Sequence, residues 1–169
     1  MPLPQQLQLA WLDEAATQRF AERLAVWPGV TNAFITLQGP LGSGKTTFVR
    51  YLLRALGIQG RIKSPTYAVV EPYEVAHPAN AAATLAISHF DFYRFTDPRE
   101  WEDAGFRDIF ASPGLKIAEW PDLAGALLPS PDLAIQLTPM DETRRQVHLT
   151  AHTAAGAAWL QQMQSEAAA

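Results

Sequence analysis

The sequence predicts a three-layer α/β domain, its sheet mostly parallel with antiparallel additions, on the strength of three observations. AFITLQ, Ala33 to Gln38, is a continuous apolar run of the kind found in strands covered on both faces of a parallel sheet. A glycine-rich loop follows at once, and TTFVRYLLRALG then brings Phe48, Leu52 and Leu56 to one face of a helix, with Val49 and Leu53 beside them. Near the C-terminus, DLAIQL and RQVHLTAH alternate apolar and polar residues on either side of TPMDETR, which predicts an antiparallel C-terminal hairpin.

The other elements follow in chain order. LQLAW sets Leu7, Leu9 and Trp11 on one side of a half-buried first strand. Asp13 opens a helix in which Ala16, Phe20, Leu24 and Trp27 recur at helical spacing until Pro28-Gly29 stops it. Gly57 stands where the helix after the glycine-rich loop needs its C-terminal cap. SPTYAVVEPY reads as a turn feeding a strand, and LAISHFDFYRF as a strand with polar residues inside it. Between them Glu74 to Thr84, small and proline-punctuated, reads as a surface loop extension. GLKIAEW is a further short strand, DLAG at Asp122 to Gly125 a helix or turn segment, and a helix over about 154–165 carries Trp159, Leu160 and Met163 before an alanine-rich end that frays.

With 169 residues, the chain fits one domain over 1–169, its core at about 7–150. Apolar residues are 48% and charged residues 18%, as in soluble folded chains, and no run approaches the roughly 18 apolar residues of a membrane helix. The opening MPLPQQLQLAW has no basic or apolar leader, so a cytoplasmic location with no membrane attachment is expected. The absence of cysteine excludes disulfides, thiolate metal sites and cysteine nucleophiles. Seventeen acidic against 13 basic residues, a net charge of −4, argue against unaided binding of nucleic acid.

Gly39, Gly44, Lys45 and Thr46 in GPLGSGKTTF satisfy G-x-x-x-x-G-K-S/T in full, which makes the α/β prediction a P-loop NTPase fold. Such a loop curls its backbone N–H groups around an anion, at positions where a Cβ would collide. Lys45 is suited to the β- and γ-phosphates and the Thr46 hydroxyl to Mg²⁺, with a helix N-terminus adding its dipole. The expected nucleotide contacts are Gly39, Leu41, Gly42, Ser43, Gly44, Lys45, Thr46 and Thr47, and the implied cofactors are ATP and Mg²⁺.

A phosphate loop does not fix a reaction; a second metal ligand and a group that positions the nucleophile are also needed. Asp91 in SHFDFYR is the best candidate for the Mg²⁺ carboxylate, although Ser88 and His89 interrupt the apolar run expected before it, and an aspartate in a strand-to-loop turn is the alternative. Thr66 in SPTY stands where many P-loop proteins carry a threonine that senses the γ-phosphate; Ser-Pro-Thr is also a common turn. Glu119 closes a later apolar strand, where a carboxylate can polarise water or support the metal; the alternative is a surface glutamate beside a packing tryptophan.

GPLGSGKTTFVR, SPTY, HFDFYR and EWP, in this order and spacing, resemble the TsaE (YjeE) family of bacterial P-loop ATPases that serve tRNA threonylcarbamoyladenosine synthesis. The resemblance covers about 7–150, and HxDxYR is its most specific piece because it accounts for the polar residues that spoil a generic metal-binding strand. It implies that Lys45 and Thr46 bind phosphate and Mg²⁺, that Asp91 is the main metal carboxylate with Glu119 supporting hydrolysis, that Thr66 is the switch residue, and that Trp120 packs nearby. It further implies an accessory ATPase that resets a TsaD transferase and its TsaB companion between turnovers, with tRNA met through that complex. Pro40, where the family usually has an acidic residue, and the length of the 74–84 segment depart from the pattern without touching a phosphate ligand.

Arg50 and Arg54, one helical turn apart, with Arg61 and Lys63, form either a basic face for tRNA or an ordinary solvated helix face and linker. Two rival classes stand beside the ATPase. A small-molecule or nucleoside kinase needs lid arginines, for which Arg94, Arg99 and Arg107 are the candidates, and a GTP switch needs an N-K-x-D element that the sequence lacks.

Overall fold

The computed structural model describes residues 5–65, 68–97, 99–103 and 105–168. Its centre is a seven-stranded sheet in the order β1-β7-β6-β2-β5-β4-β3, where β1 is Gln5–Trp11, β2 Phe34–Gln38, β3 Val70–His77, β4 Asn80–Asp91, β5 Leu115–Glu119, β6 Leu133–Pro139 and β7 Arg145–Ala151. The four central strands, β6, β2, β5 and β4, pair in parallel. Antiparallel strands flank them, β7 and β1 on one side and β3 on the other.

Helices cover both faces. On one, α1 (Glu14–Ala25), α2 (Lys45–Ala55) and α5 (Ala154–Ala168) bury a core in which Phe20, Leu24, Phe48, Leu52, Trp159 and Leu160 meet Ile35, Leu37, Ile135 and Leu149 of the sheet. The other holds an aromatic cluster in which Phe34, Phe90, Phe92 and Phe95 meet Trp101 and Phe106, contributed by the short helices α3 (Arg99–Asp103) and α4 (Phe106–Ala111). This is the three-layer architecture expected from the buried apolar strand and the amphipathic helix.

Local chemistry sets the helix ends. The Asp13 carboxylate accepts the Ala16 N–H at 2.8 Å and caps α1. At the end of α2, Gly57 turns left-handed at φ +105, so that its N–H reaches the Arg54 carbonyl and the Ile58 N–H the Leu53 carbonyl, each at 3.0 Å. The C-terminal hairpin has the expected facing, with Leu133 opposite Ala151, Ile135 opposite Leu149 and Leu137 opposite Val147. DLAG falls in two short 3₁₀ turns, Pro121–Leu123 and Gly125–Leu127.

One expectation is corrected. Residues 74–84 are not a loop extension: β3 and β4 form a hairpin through them, with Val75 opposite Leu85 and Ala76 opposite Thr84 and the chain turning at Pro78 and Ala79. Ala81 to Thr84 are exposed and small, so this end of β4 is held by its ladder to β3 rather than by burial, and it shows no apolar alternation in the sequence.

Candidate active site

The site gathers at the C-terminal ends of β2, β4 and β5, where an open parallel sheet places its ligand crevice. After β2 the chain enters the glycine-rich loop. Gly39 sits at φ +150, and a Cβ there would come within 2.6 Å of both the Leu137 carbonyl oxygen and the Ser43 hydroxyl; only glycine fits. Gly44, at φ +102, is the left-handed residue from which α2 starts, which turns the first amides of that helix toward the loop's interior.

Lys45 is 5% exposed. Its ammonium donates to the Gly39 carbonyl at 2.5 Å and to the Pro40 carbonyl at 3.0 Å, which staples the loop and leaves the third N–H with only a 3.4 Å contact to the Ser43 hydroxyl. The Trp120 ring stands over it, 4.2 Å from the nitrogen. Burial holds the Lys45 pKa below the ordinary lysine value, and the negative charges of Glu119 and Asp91 partly offset that depression.

Parallel pairing of β4 and β5 sets Asp91 beside Glu119 in register, and both carboxylates are buried. Thr46 donates its hydroxyl to Glu119 Oε1 at 2.9 Å, while Glu119 Oε2 meets His89 Nε2 at 2.6 Å. A continuous chain therefore runs from the phosphate-loop threonine through the glutamate to a fully buried histidine, whose Nδ1 has no hydrogen-bond partner among the described residues. Asp91 accepts the Tyr93 N–H at 2.9 Å, and the Tyr93 ring lies 5.0 Å from that of Trp120. Trp120 itself is left-handed at φ +56, a conformation of the kind that surrounding structure imposes near functional sites.

A cavity of about 380 Å³ unites these groups: Leu41, Gly42, Ser43, Gly44, Lys45, Thr46, Thr47, Asp91 and Glu119 all line it, whereas Gly39 does not line it and is tied to it only by its carbonyl's bond from Lys45. The sequence therefore identified most of the lining. Thr66 lies outside the described residues; its neighbour Ser64 lines the cavity. The oxygens of Thr46, Asp91 and Glu119 are the hard donors that Mg²⁺ prefers. Among the described residues no group of three or more His, Cys, Asp or Glu is placed to hold a metal ion.

Sequence reasoning missed three contributors. Arg145, at the start of β7, donates to the Ser43 carbonyl at 2.8 Å and toward the Gly42 carbonyl at 3.4 Å, bracing the loop from outside. Asp141 organises the turn that delivers it, accepting the N–H groups of Thr143 and Arg144; these bonds and the Arg144 side chain hold its pKa far below the usual carboxylate range. Beyond Ser43 and Gly44 a second recess of about 230 Å³ opens between Trp11, Asp13, Thr17, Thr47 and Thr143, and Trp11 Nε1 is buried there without a partner among the described residues. An aspartate two residues before a threonine in TPMDETR was the one local signal for the turn.

The basic candidates divide. Arg54 donates to the Ile58 and Gly60 carbonyls and so secures the loop after α2, whereas Arg50, Arg61 and Lys63 are exposed at the surface. Of the arginines considered for a kinase lid, Arg99 is paired with Asp97 at 2.9 Å on an exposed segment. Among the described residues no helix is long and apolar enough to cross a membrane.

A family model described as threonylcarbamoyl adenosine biosynthesis protein TsaE matches residues 11–147. A Haemophilus influenzae protein named tRNA threonylcarbamoyladenosine biosynthesis protein TsaE is 37% identical over 139 residues, covering 82% of this chain and 83% of its own length. A Bacillus subtilis protein of the same name is 33% identical over 117 residues, covering 69% and 68%. In three dimensions the chain resembles the crystal structure of Bacillus subtilis YdiB, with a TM-score of 0.72, 24% identity and coverage of 98% of this chain and 99% of that one. The fold is thus shared along nearly the whole chain, and by sequence the chain belongs to the TsaE family.

Proposed function

We propose that this member of the TsaE family binds ATP with Mg²⁺ on its Gly39–Thr47 loop and hydrolyses it in the service of tRNA threonylcarbamoyladenosine biosynthesis, as an accessory to a TsaD-like transferase and a TsaB-like companion. The role in tRNA modification follows from family membership. The observation that carries the ATPase reading is the convergence of Lys45, Thr46, Asp91 and Glu119 on one cavity, with Thr46 and Glu119 in direct contact.

In this reading the loop amides and the free N–H of Lys45 hold the β- and γ-phosphates, and the base lies in the recess beside Trp11. Bound Mg²⁺ would supply neutralisation of the charge that develops on the transferring group; Thr46, Asp91 and Glu119 are the residues that would hold it. Glu119 orients a water for in-line attack on the γ-phosphorus. The water oxygen bonds to phosphorus as the bond to the bridging oxygen of ADP breaks, and the carboxylate takes up the proton. Trp120 and Tyr93 close one side of the cavity and limit bulk water. Arg50, Arg61 and Lys63 are the surface groups assigned to tRNA, reached through the complex.

Two substitutions test parts of this arrangement. His89→Ala removes the partner of Glu119 Oε2 and leaves the carboxylate free to turn from Thr46. Hydrolysis is expected to fall about 10- to 100-fold while ATP affinity stays within about 3-fold, and His89→Gln, which keeps an N–H donor, should recover part of the loss; phosphate release and calorimetric titration read the two effects. Arg145→Met takes away the outer brace of the loop. Loss of charge-assisted bonds to loop carbonyls is expected to weaken ATP binding about 10-fold, on the scale of 1.4 kcal/mol, with little change in the unfolding midpoint.

The partnership is tested by adding a TsaB–TsaD pair, and then tRNA, to the purified chain with Mg·ATP. Stimulated phosphate release that disappears in Glu119→Ala supports it. Release indifferent to the pair removes the accessory role while leaving the ATPase reading intact.

A further inference from the structure

The two edges of the sheet are built differently. At one, β3 carries Glu71, Pro72 and Glu74, and its ladder is interrupted between Ala76 and His77; a proline, charges and an irregular register are the devices by which proteins keep foreign strands from an edge. At the other, β1 reads QQLQLAW, with no charge and no proline, and its ladder to β7 runs unbroken through seven pairs. Among the described residues it is an uncharged edge of regular register with no strand beyond it.

Beside it lies a groove of about 630 Å³, floored by Leu7, Leu9, Phe20 and Met163 and walled by Arg19 and Arg23 of α1. Phe20 and Met163 are buried, whereas Leu7 and Leu9 are only partly covered. Arg23 is ion-paired with Glu166 of α5. Arg19 is exposed and has no hydrogen bond or ion pair among the described residues. An apolar floor with an unmatched guanidinium at its rim suits an occupant that brings apolar side chains and a carboxylate.

We propose that β1 is a docking edge for an extended segment of another protein, which adds to the sheet as an eighth strand, packs alternate apolar side chains over Leu7 and Leu9, and presents an aspartate or glutamate to Arg19. Backbone pairing supplies affinity and the groove supplies sequence preference, as in other strand-addition complexes. A second copy of this chain fits less well: its β1 contains no acidic residue, and a two-fold pairing of β1 strands brings two Arg19–Arg23 walls together. The groove meets the recess proposed for the base at Trp11, but Leu7, Leu9 and Arg19 line neither that recess nor the cavity at Lys45, so a test at Arg19 is independent of the ATPase reading.

The test is selection of random 12-residue peptides displayed on phage against the folded full chain, followed by titration of the enriched peptides as synthetic material. Enriched sequences should alternate apolar residues and include Asp or Glu, bind at least about 10-fold more weakly to Arg19→Glu, and slow amide hydrogen exchange in β1. Arg19 is exposed, so this variant keeps the fold, and circular dichroism confirms it. The proposal is overturned by a selection that enriches nothing, by peptides that bind Arg19→Glu equally well, or by unchanged exchange in β1. It is also overturned if sedimentation shows the peptide-free chain to be a dimer that Leu9→Lys dissolves, which would give the edge to a second copy.

Discussion

Lys45→Ala is expected to lower ATP affinity by at least about 100-fold, the largest binding effect of any single substitution in the site. Two losses combine. The ammonium no longer meets the phosphates, and the staple to the Gly39 and Pro40 carbonyls is gone, so the loop loses the bonds that hold its curve. Charge-assisted hydrogen bonds contribute about 1.5–3 kcal/mol each, and two of them account for a factor of about 100. The fold itself should tolerate the change. Because burial depresses the Lys45 pKa, folding disfavours the charged form at neutral pH, and deleting the group relieves that cost. The nucleotide-free unfolding midpoint should therefore stay within a few degrees of wild type while calorimetric titration with Mg·ATP shows no heat of binding. A large drop in the nucleotide-free midpoint would mark Lys45 as a structural residue instead.

Glu119→Gln is expected to reduce hydrolysis about 100- to 1,000-fold with ATP affinity within about 3-fold, the range associated with loss of a group acting chiefly in the transition state. The amide is nearly isosteric and can still hydrogen-bond Thr46, so the cavity keeps its shape. It cannot take a proton from water, and the Asp91–Glu119 pair is reduced from two negative charges to one. Single-turnover kinetics separate chemistry from binding: the rate constant should collapse while its dependence on ATP concentration is preserved. If affinity falls as far as rate, Glu119 serves ground-state binding alone.

How much of this was legible in the sequence depended on whether a feature was local. The glycine-rich loop between β2 and α2 was readable because its motif residues fall within one short stretch, and at Gly39 the steric need for glycine is plain. Ser88 and His89, which interrupt the apolar run before Asp91, looked like defects in a pattern. The structure gives His89 a reason, since it is the buried partner of Glu119 across two parallel strands, a relation no spacing in the chain reveals. Arg145 carried no signal of its own, because its partners Gly42 and Ser43 lie about one hundred residues earlier. The 74–84 hairpin was hidden for a different reason. Its exposed Ala81–Thr84 arm has no apolar period, and strand pairing there rests on backbone bonds that side-chain patterns do not report.

If the chain itself directs water onto the γ-phosphate of ATP through Glu119, phosphate release from Mg·ATP by the purified chain and by Glu119→Gln, with bound nucleotide quantified in the same samples, should show it. Slow release by the wild-type chain, its loss in the variant, and equal ATP occupancy in both are expected. Release that survives in Glu119→Gln, or a γ-phosphoryl group delivered to a small molecule rather than to water, would contradict it.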